Sequence, residues 1–379
     1  MSRDDRQLVE DLFDNERIKV LVCTATLAWG VNLPARTVII KGTQIYSPEK
    51  GRWCELSPQD ILQMLGRAGR PHKNTKGEGI IITSYSELKY YLSLVTNQLP
   101  IESQFVTQLA DQMNAEVVAG TVNNIKDGVS WLGYTYFYTR MLRSPGFYSV
   151  ELEEIEDDPL LVKRRANLVH SAAVVLDKHN LIRYDKKTGI FYPTTLGKIA
   201  SHYYIKYPSI AVYNEHIKPN MGMIELFRIF SISHEFKYVP TREEEKYELE
   251  RLLTKVPVPV KGSPDDPSSK INVLLQAYIC RMKLEGYALN SDMVFITQSA
   301  SRIMRGLFEV FLKRGWASTA ETALKICKMI DRKMWSCMTP LRQFPNVQEK
   351  ILRRIENQEH LTWDHLYNMK VQQLGSIIK

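Results

Sequence analysis

SPQDILQMLGRAGRP, residues 57–71, decides how the first hundred residues read. Ser57 before Pro58, with Asp60 in the first turn, is a helix start: a hydroxyl to cap a free N–H, a ring that tolerates the first helical position, and an acid at the positive end. The segment then ends on Arg67 and Arg70, three apart between glycines, a spacing that suits gripping a phosphate. Working outward, KVLVCT (19–24) and RTVIIKG (36–42) are short β-branched runs without helical period, as strands buried on both faces of a parallel sheet are, and EGIIITS (78–84) is a third. With the helix-like DRQLVEDLF ahead of them, this alternation predicts one α/β layer structure that begins upstream of residue 1.

At 379 residues and 44% hydrophobic, the chain can bury a substantial core and should hold two to four domains, at roughly 100 to 200 residues each. No apolar run is long enough to span a membrane, and the charged start MSRDDRQLVEDLFDNE does not resemble a signal peptide, so a soluble intracellular protein with no membrane partner is expected. Cysteines 23, 54, 280, 327 and 337 form no CxxC pair and have no metal spacing, so they read as reduced thiols. The net charge of +8 is uneven: residues 271–379 hold 16 Lys and Arg against 9 Asp and Glu. A basic C-terminal part favours a polyanion such as RNA.

From Ala115 the texture turns aromatic and helical. A helix ending near His179, LIRYD, a KKTG turn and IFYPT make a winged-helix pattern. ELEEIEDD (151–158) reads as a solvated loop. Beyond Thr195 helices dominate, with a Pro- and Ser-rich break at 256–269. REEEKYELERLL is a charged amphipathic helix whose glutamates read as a wet face. In ITQSASRIMRGLFEVFLKRGW, Ala300, Ile303, Met304, Leu307, Phe308 and Phe311 form an apolar stripe; Gln298, Arg302, Arg305 and Glu309 line another face.

TATLAWGVNLP (24–34) followed by QMLGRAGRP (63–71) resembles motifs V and VI of the Ski-type family of superfamily-two helicases. IIKGTQIYSPEKGRW, LPIESQF, LNSDMVFITQSASRIMRGLFEVFLKRGW and CKMIDRKMWSCMTPLRQF extend the likeness over essentially the whole chain, toward the branch that acts in splicing. The resemblance implies α/β plus mostly α architecture in four parts. These are a partial second RecA-like domain with a parallel sheet (1–108), a winged helix (109–195), a helical ratchet bundle (196–335) and the start of a helix-loop-helix module (336–379). It implies 3′ to 5′ RNA unwinding of paired small nuclear RNAs, driven by ATP and magnesium, in the nucleus among spliceosomal proteins. A paralogous DNA-repair helicase and a non-catalytic RNA-binding or protein-docking module are the alternatives.

By match to the family motifs, Arg67 and Arg70 would face the ATP γ-phosphate and Gln63 the same phosphate or its water, since a guanidinium is a permanently charged fork for phosphate oxygens. Gly66 and Gly69 would keep that turn slim. Gly30 and Asn32 would return the motif V loop to the nucleotide, while Thr24 would meet the RNA backbone. Trp29 reads as a core residue. Tyr46 and Trp53, flanking the turn at 47–51, would stack on the last base pair as a strand-separating hairpin. Gln298, Arg302 and Arg305 would follow the single strand along the ratchet helix. Lys163, Arg164 and Arg165 read as part of a brace, and His170 and His179 not as ligands. No GxxxxGK[ST] loop and no Asp-Glu pair at a strand end are present, and Lys198 lacks the glycine-rich nest, so the main residues for ATP and magnesium are expected on the remainder of the helicase chain. The present chain alone is expected to be inactive.

Overall fold

The computed structural model describes residues 3–24, 33, 35–47, 52–69, 76–96, 100–344, 346–357 and 363–378. They form two compact units, one up to Glu102 and one from Ser103. Gly30, Asn32, Trp29, Arg70 and the hairpin tip at 48–51 lie outside the described residues.

In the first unit, α1 (Arg3–Asp14) precedes β1 (Thr37–Lys41), which pairs in parallel with β4 (Glu78–Ile82) from Thr37 opposite Glu78 to Lys41 opposite Ile82. Between them come a hairpin, β2 (Gln44–Ser47) and β3 (Arg52–Glu55), and the helix α2 (Pro58–Leu65). Among the described residues the core of this unit is Ile40, Leu56, Ile61, and Tyr91 and Leu94 of α3 (Leu88–Val95). KVLVCT departs from expectation: it forms no strand, and Val20 and Val22 are 76% and 92% exposed. A run shaped for burial on both faces needs neighbouring strands to pair with. Here β1 and β4 pair with each other.

The second unit starts with α4 (Leu109–Ala119), α5 (Ile125–Gly133), α6 (Tyr136–Arg143), α7 (Leu152–Asp157) and α8 (Val162–Lys178). The antiparallel hairpin β5 (Ile182–Asp185) and β6 (Ile190–Pro193) follows, completing the expected wing. Asp185 accepts from Lys187 N and the Thr188 hydroxyl, and Gly189 at φ +74° closes the turn. The acidic stretch expected as a loop contains the short helix α7. After Thr194, whose hydroxyl caps Gly197 N, come α9 (Thr195–His202), α10 (Tyr207–His216), α11 (Met223–Ser231), α12 (Lys246–Leu253), α13 (Pro267–Ile279), α14 (Tyr287–Lys313) and α15 (Ala317–Arg332). The chain then forms α16 (Glu349–Glu356), α17 (Trp363–Asn368) and α18 (Val371–Ile378).

One continuous apolar core links wing and bundle, from Leu109 to Trp335. At its centre α14, 27 residues and ~40 Å long, buries Ala300, Ile303, Met304, Leu307 and Phe311 completely. Glu243 and Glu244 are exposed as expected of a wet face, but Glu245 is 5% exposed. Its burial is a correction, and its reason is ionic: Lys270 donates to it at 2.6 Å.

Candidate nucleotide and nucleic-acid interface

α2 is made by its cap and its one inward side chain. Ser57 accepts from Asp60 N at 3.1 Å and donates its hydroxyl to the Asp60 carboxylate at 2.7 Å, while Ile61 is fully buried. Past Leu65 the chain is taken over by backbone bonds. Ala35 N donates to Arg67 O at 2.9 Å and Gly69 N to Ala35 O at 2.7 Å, a parallel bridge that ties the arginine segment to the lead-in of β1. Gly69, at φ +104°, needs glycine there. Gly66 has an ordinary helical φ of −62°, so its smallness serves contact with Leu62 O and not backbone conformation. Gly77, which leads into β4, lies so close that a Cβ on it would be 2.6 Å from the carbonyl carbon and oxygen of Ala68 and from Gly69 N. Arg67 is thus half-buried at a clamped position, with Gln63 exposed four residues before it.

The β2–β3 hairpin leaves the sheet at Gly42 (φ +90°), whose N–H donates to Ile82 O at 3.1 Å. Its base is anchored. Leu56 N donates to Thr43 O, Thr43 and Thr83 share a hydroxyl bond of 2.9 Å, and the Tyr91 hydroxyl donates to Glu55 at 2.8 Å. Burial would raise the Glu55 pKa, but bonds from Thr43, Tyr91 and Gln44 outweigh it and hold the carboxyl below its usual range. Burial, then Glu55, push the Tyr91 phenol up. Tyr46 and Trp53 are register partners, and Trp53 is 64% exposed. Thr24 is exposed at the end of the irregular 20–24 segment.

In the second unit, Gln298 and Arg305 are exposed on α14. Arg305 is paired with Asp331, and its side chain is 53% exposed. Ser301 also donates to Asp331; these bonds overcome burial and keep that carboxyl low. Arg302 has a task that its sequence position did not announce. Its guanidinium donates to the carbonyls of Tyr203 (2.8 Å) and Tyr204 and to Ser299 Oγ (3.0 Å), covering the negative end of α9. One turn on, Gly306 permits the approach, since a Cβ there would be 2.3 Å from Ile205 Cδ1. In the wing, Arg165 is 8% exposed, donates to Val129 O and Leu160 O, and lies 4.4 Å over the Tyr138 ring. Arg164 donates to Tyr148 O and Ser149 O. His170 is bonded to the Tyr184 hydroxyl at 2.8 Å, and burial, then Lys178, lower the His179 pKa. The five cysteines are free thiols, and burial pushes Cys327 up to about 12. Among the described residues no cluster of His, Cys, Asp and Glu could hold a metal, and no helix is long and apolar enough to cross a membrane.

Three domain families match in order along the chain: the helicase conserved C-terminal domain at 1–72, a winged helix-turn-helix domain at 102–178 and the Sec63 Brl domain at 193–369. The chain belongs to the Ski-type family of superfamily-two helicases. Within it, the chain is similar to the U5 small nuclear ribonucleoprotein 200 kDa helicase of Homo sapiens, 59% identical over 379 residues, all of this chain and 18% of that protein. It is also similar to the pre-mRNA-splicing factor brr2 of Schizosaccharomyces pombe, 57% identical over 378 residues, 100% of this chain and 17% of the relative. The activating signal cointegrator 1 complex subunit 3-like protein of Dictyostelium discoideum is 58% identical over 379 residues, again 100% and 17%. The chain therefore spans under a fifth of the length of these relatives.

Proposed function

We propose that this chain supplies the arginine-bearing and strand-guiding parts of an ATP-dependent RNA helicase that moves 3′ to 5′ and separates paired small nuclear RNAs in the nucleus during splicing. The observation that carries the reading is the clamped arginine segment. A side chain that stabilises charge in phosphoryl transfer must be held in position, and the Ala35–Ala68 bridge together with the Gly77 approach holds Arg67. Arg67 with Arg70 would bind the γ-phosphate and Gln63 the attacking water or the phosphate. Gly30, Asn32 and Gly66 would shape the nucleotide edge of a partial RecA-like domain. The guanidinium and amide donors fit the phosphates of ATP. They do not fit magnesium, whose ligands would come from the remainder of the helicase chain together with the phosphate loop, so no step is drawn through the metal. Thr24 would touch the RNA backbone, Tyr46 and Trp53 would cap the duplex end, and Gln298 and Arg305 would line the ratchet path in residues 196–335, with Arg302, bonded to the end of α9, holding that path's helix in place. The winged helix at 109–195 would brace the assembly, and 336–379 would open a helix-loop-helix module. Spliceosomal proteins would be its neighbours.

The test uses a full-length helicase polypeptide carrying this chain. Arg67→Ala and Arg70→Ala should each lower RNA-stimulated ATP turnover on the order of a thousandfold or more, the range of an arginine finger. The 379-residue chain by itself should hydrolyse none. Turnover by the isolated chain, or full turnover in both variants, refutes the reading. A second reading is the paralogous DNA-repair helicase, and equal unwinding of DNA and RNA duplexes would support it; the Dictyostelium relative carries the name of an activating signal cointegrator complex subunit and not of a splicing factor.

A further inference from the structure

Two cations and two carboxylates meet inside the helical bundle. Lys270 on α13 is 1% exposed and Asp292 on α14 is 0% exposed. The Lys270 ammonium donates to Pro240 O at 2.7 Å, Glu245 Oε2 at 2.6 Å and Asp292 Oδ2 at 2.7 Å, three donors with three acceptors. Arg242 reaches the same two carboxylates, donating to Asp292 Oδ2 at 3.0 Å and to Glu245 Oε1. The tetrad is neutral and joins three segments: the 240–245 turn, α13 and α14.

Stability alone does not account for it, because buried ion pairs can often be replaced by apolar side chains of similar volume without loss. Geometry does. The apolar stripe of α14 fixes which face points inward, but apolar contact has no direction, and sliding the helix by one turn, ~5.4 Å, sets one row of apolar side chains near the seats of the next. The tetrad has no such second seat. A slide would leave Lys270 and Asp292 buried without each other, a state far costlier than the pair. Asp292 Oδ1 is already buried with no partner, so no spare contact is in place to soften the loss.

We infer that Lys270, Asp292, Glu245 and Arg242 are positioning residues: they lock the axial register of α14 and so set where Gln298 and Arg305 meet the nucleic-acid strand. The inference rests on the proposed strand-tracking role of α14. Gln298 and Arg305 lie six and thirteen residues beyond Asp292, ~9 and ~20 Å along the axis, so a slip at the tetrad moves both by the full slip.

The experiment uses the full-length helicase with all four charges removed together, Arg242→Met, Glu245→Met, Lys270→Met and Asp292→Leu. Nitroxide labels go on Val294→Cys of α14 and Glu321→Cys of α15, both exposed sites. In the folded quadruple variant, the label distances should broaden or move by about one turn, ~5 Å. KM for single-stranded RNA should rise on the order of tenfold while ATP turnover at saturating RNA holds, the signature of misplaced contacts. Unchanged distances with an unchanged RNA KM overturn the inference. Should the quadruple variant not fold, Arg242→Ala takes its place, since that side chain is 22% exposed and its loss leaves Lys270 its partners. It should broaden the distances and raise KM about threefold, and no change in either again overturns the lock. A parent helicase that neither binds nor unwinds RNA would instead sink the proposed function, while the label distances still judge the register.

Discussion

Gly77→Ala tests whether the arginine segment is held by its backbone. The new Cβ would be 2.6 Å from three backbone atoms of Ala68 and Gly69, against a comfortable ~3.5 Å for non-bonded contact, so the segment must retreat by ~0.9 Å. Retreat lengthens Gly69 N to Ala35 O and Ala35 N to Arg67 O, now 2.7 and 2.9 Å, past hydrogen-bond range. Two lost bonds at ~1 kcal/mol each, with strain of ~1 kcal/mol, give roughly 3 kcal/mol of local destabilisation. Functionally, a displacement of ~1 Å in a positioned group can cost about a hundredfold in rate. The assay is RNA-stimulated ATP turnover by the full-length helicase, with single-strand affinity measured alongside. Turnover should fall by one to two orders of magnitude (roughly tenfold to a hundredfold) with RNA affinity retained. Gly146→Ala, where a Cβ meets nothing within 4 Å, is the control. Gly77→Ala with wild-type turnover would show that the clamp does not hold the arginines.

Three further outcomes follow from the geometry. Arg305→Ala should leave melting within about 0.5 kcal/mol, since its pair with Asp331 is half-exposed and screened; the salt slope of single-strand RNA binding should drop by about 0.7, one phosphate contact. An unchanged slope removes Arg305 from the path. Trp53→Ala, at a position 64% exposed, should cut duplex unwinding several-fold more than ATP turnover, and equal loss of both would count against the wedge. Glu356 is held below the usual carboxylate range first by Arg342. Because the folded pKa is the lower one, its contribution is present above pH ~4.3 and is lost as pH falls through that depressed value. Protection of the α16 amides, taken relative to the intrinsic exchange rate at each pH, should therefore fall as pH drops below ~4 in the native chain and fall less in Glu356→Gln, where Glu349 alone still titrates against Arg342.

Local chemistry was legible. The Ser57 cap, the β1 and β4 runs, the 44–55 hairpin and the wing all announce themselves within a dozen residues, and each is where its pattern put it. KVLVCT misled because a strand pattern states what the run could bury and not whether neighbours are there to pair with it. Glu245 and Arg302 escaped for a different reason. Their partners lie 25 residues away at Lys270 and about a hundred away at Tyr203 and Tyr204, and no periodicity encodes a long-range ion pair or a carbonyl cap on another helix. For the same reason the α14 tetrad left no trace in the reading, although each of its members was visible as a charge.

The unequal cores have a consequence for heat. Among the described residues of the first unit, Ile40, Leu56, Ile61, Tyr91 and Leu94 form the buried apolar cluster, whereas the bundle and wing share one larger interior. A small core gives a low unfolding free energy. On warming, the described part of the arginine-bearing unit should therefore open before the helical half, so a heated sample is expected to forfeit chemistry before it forfeits shape.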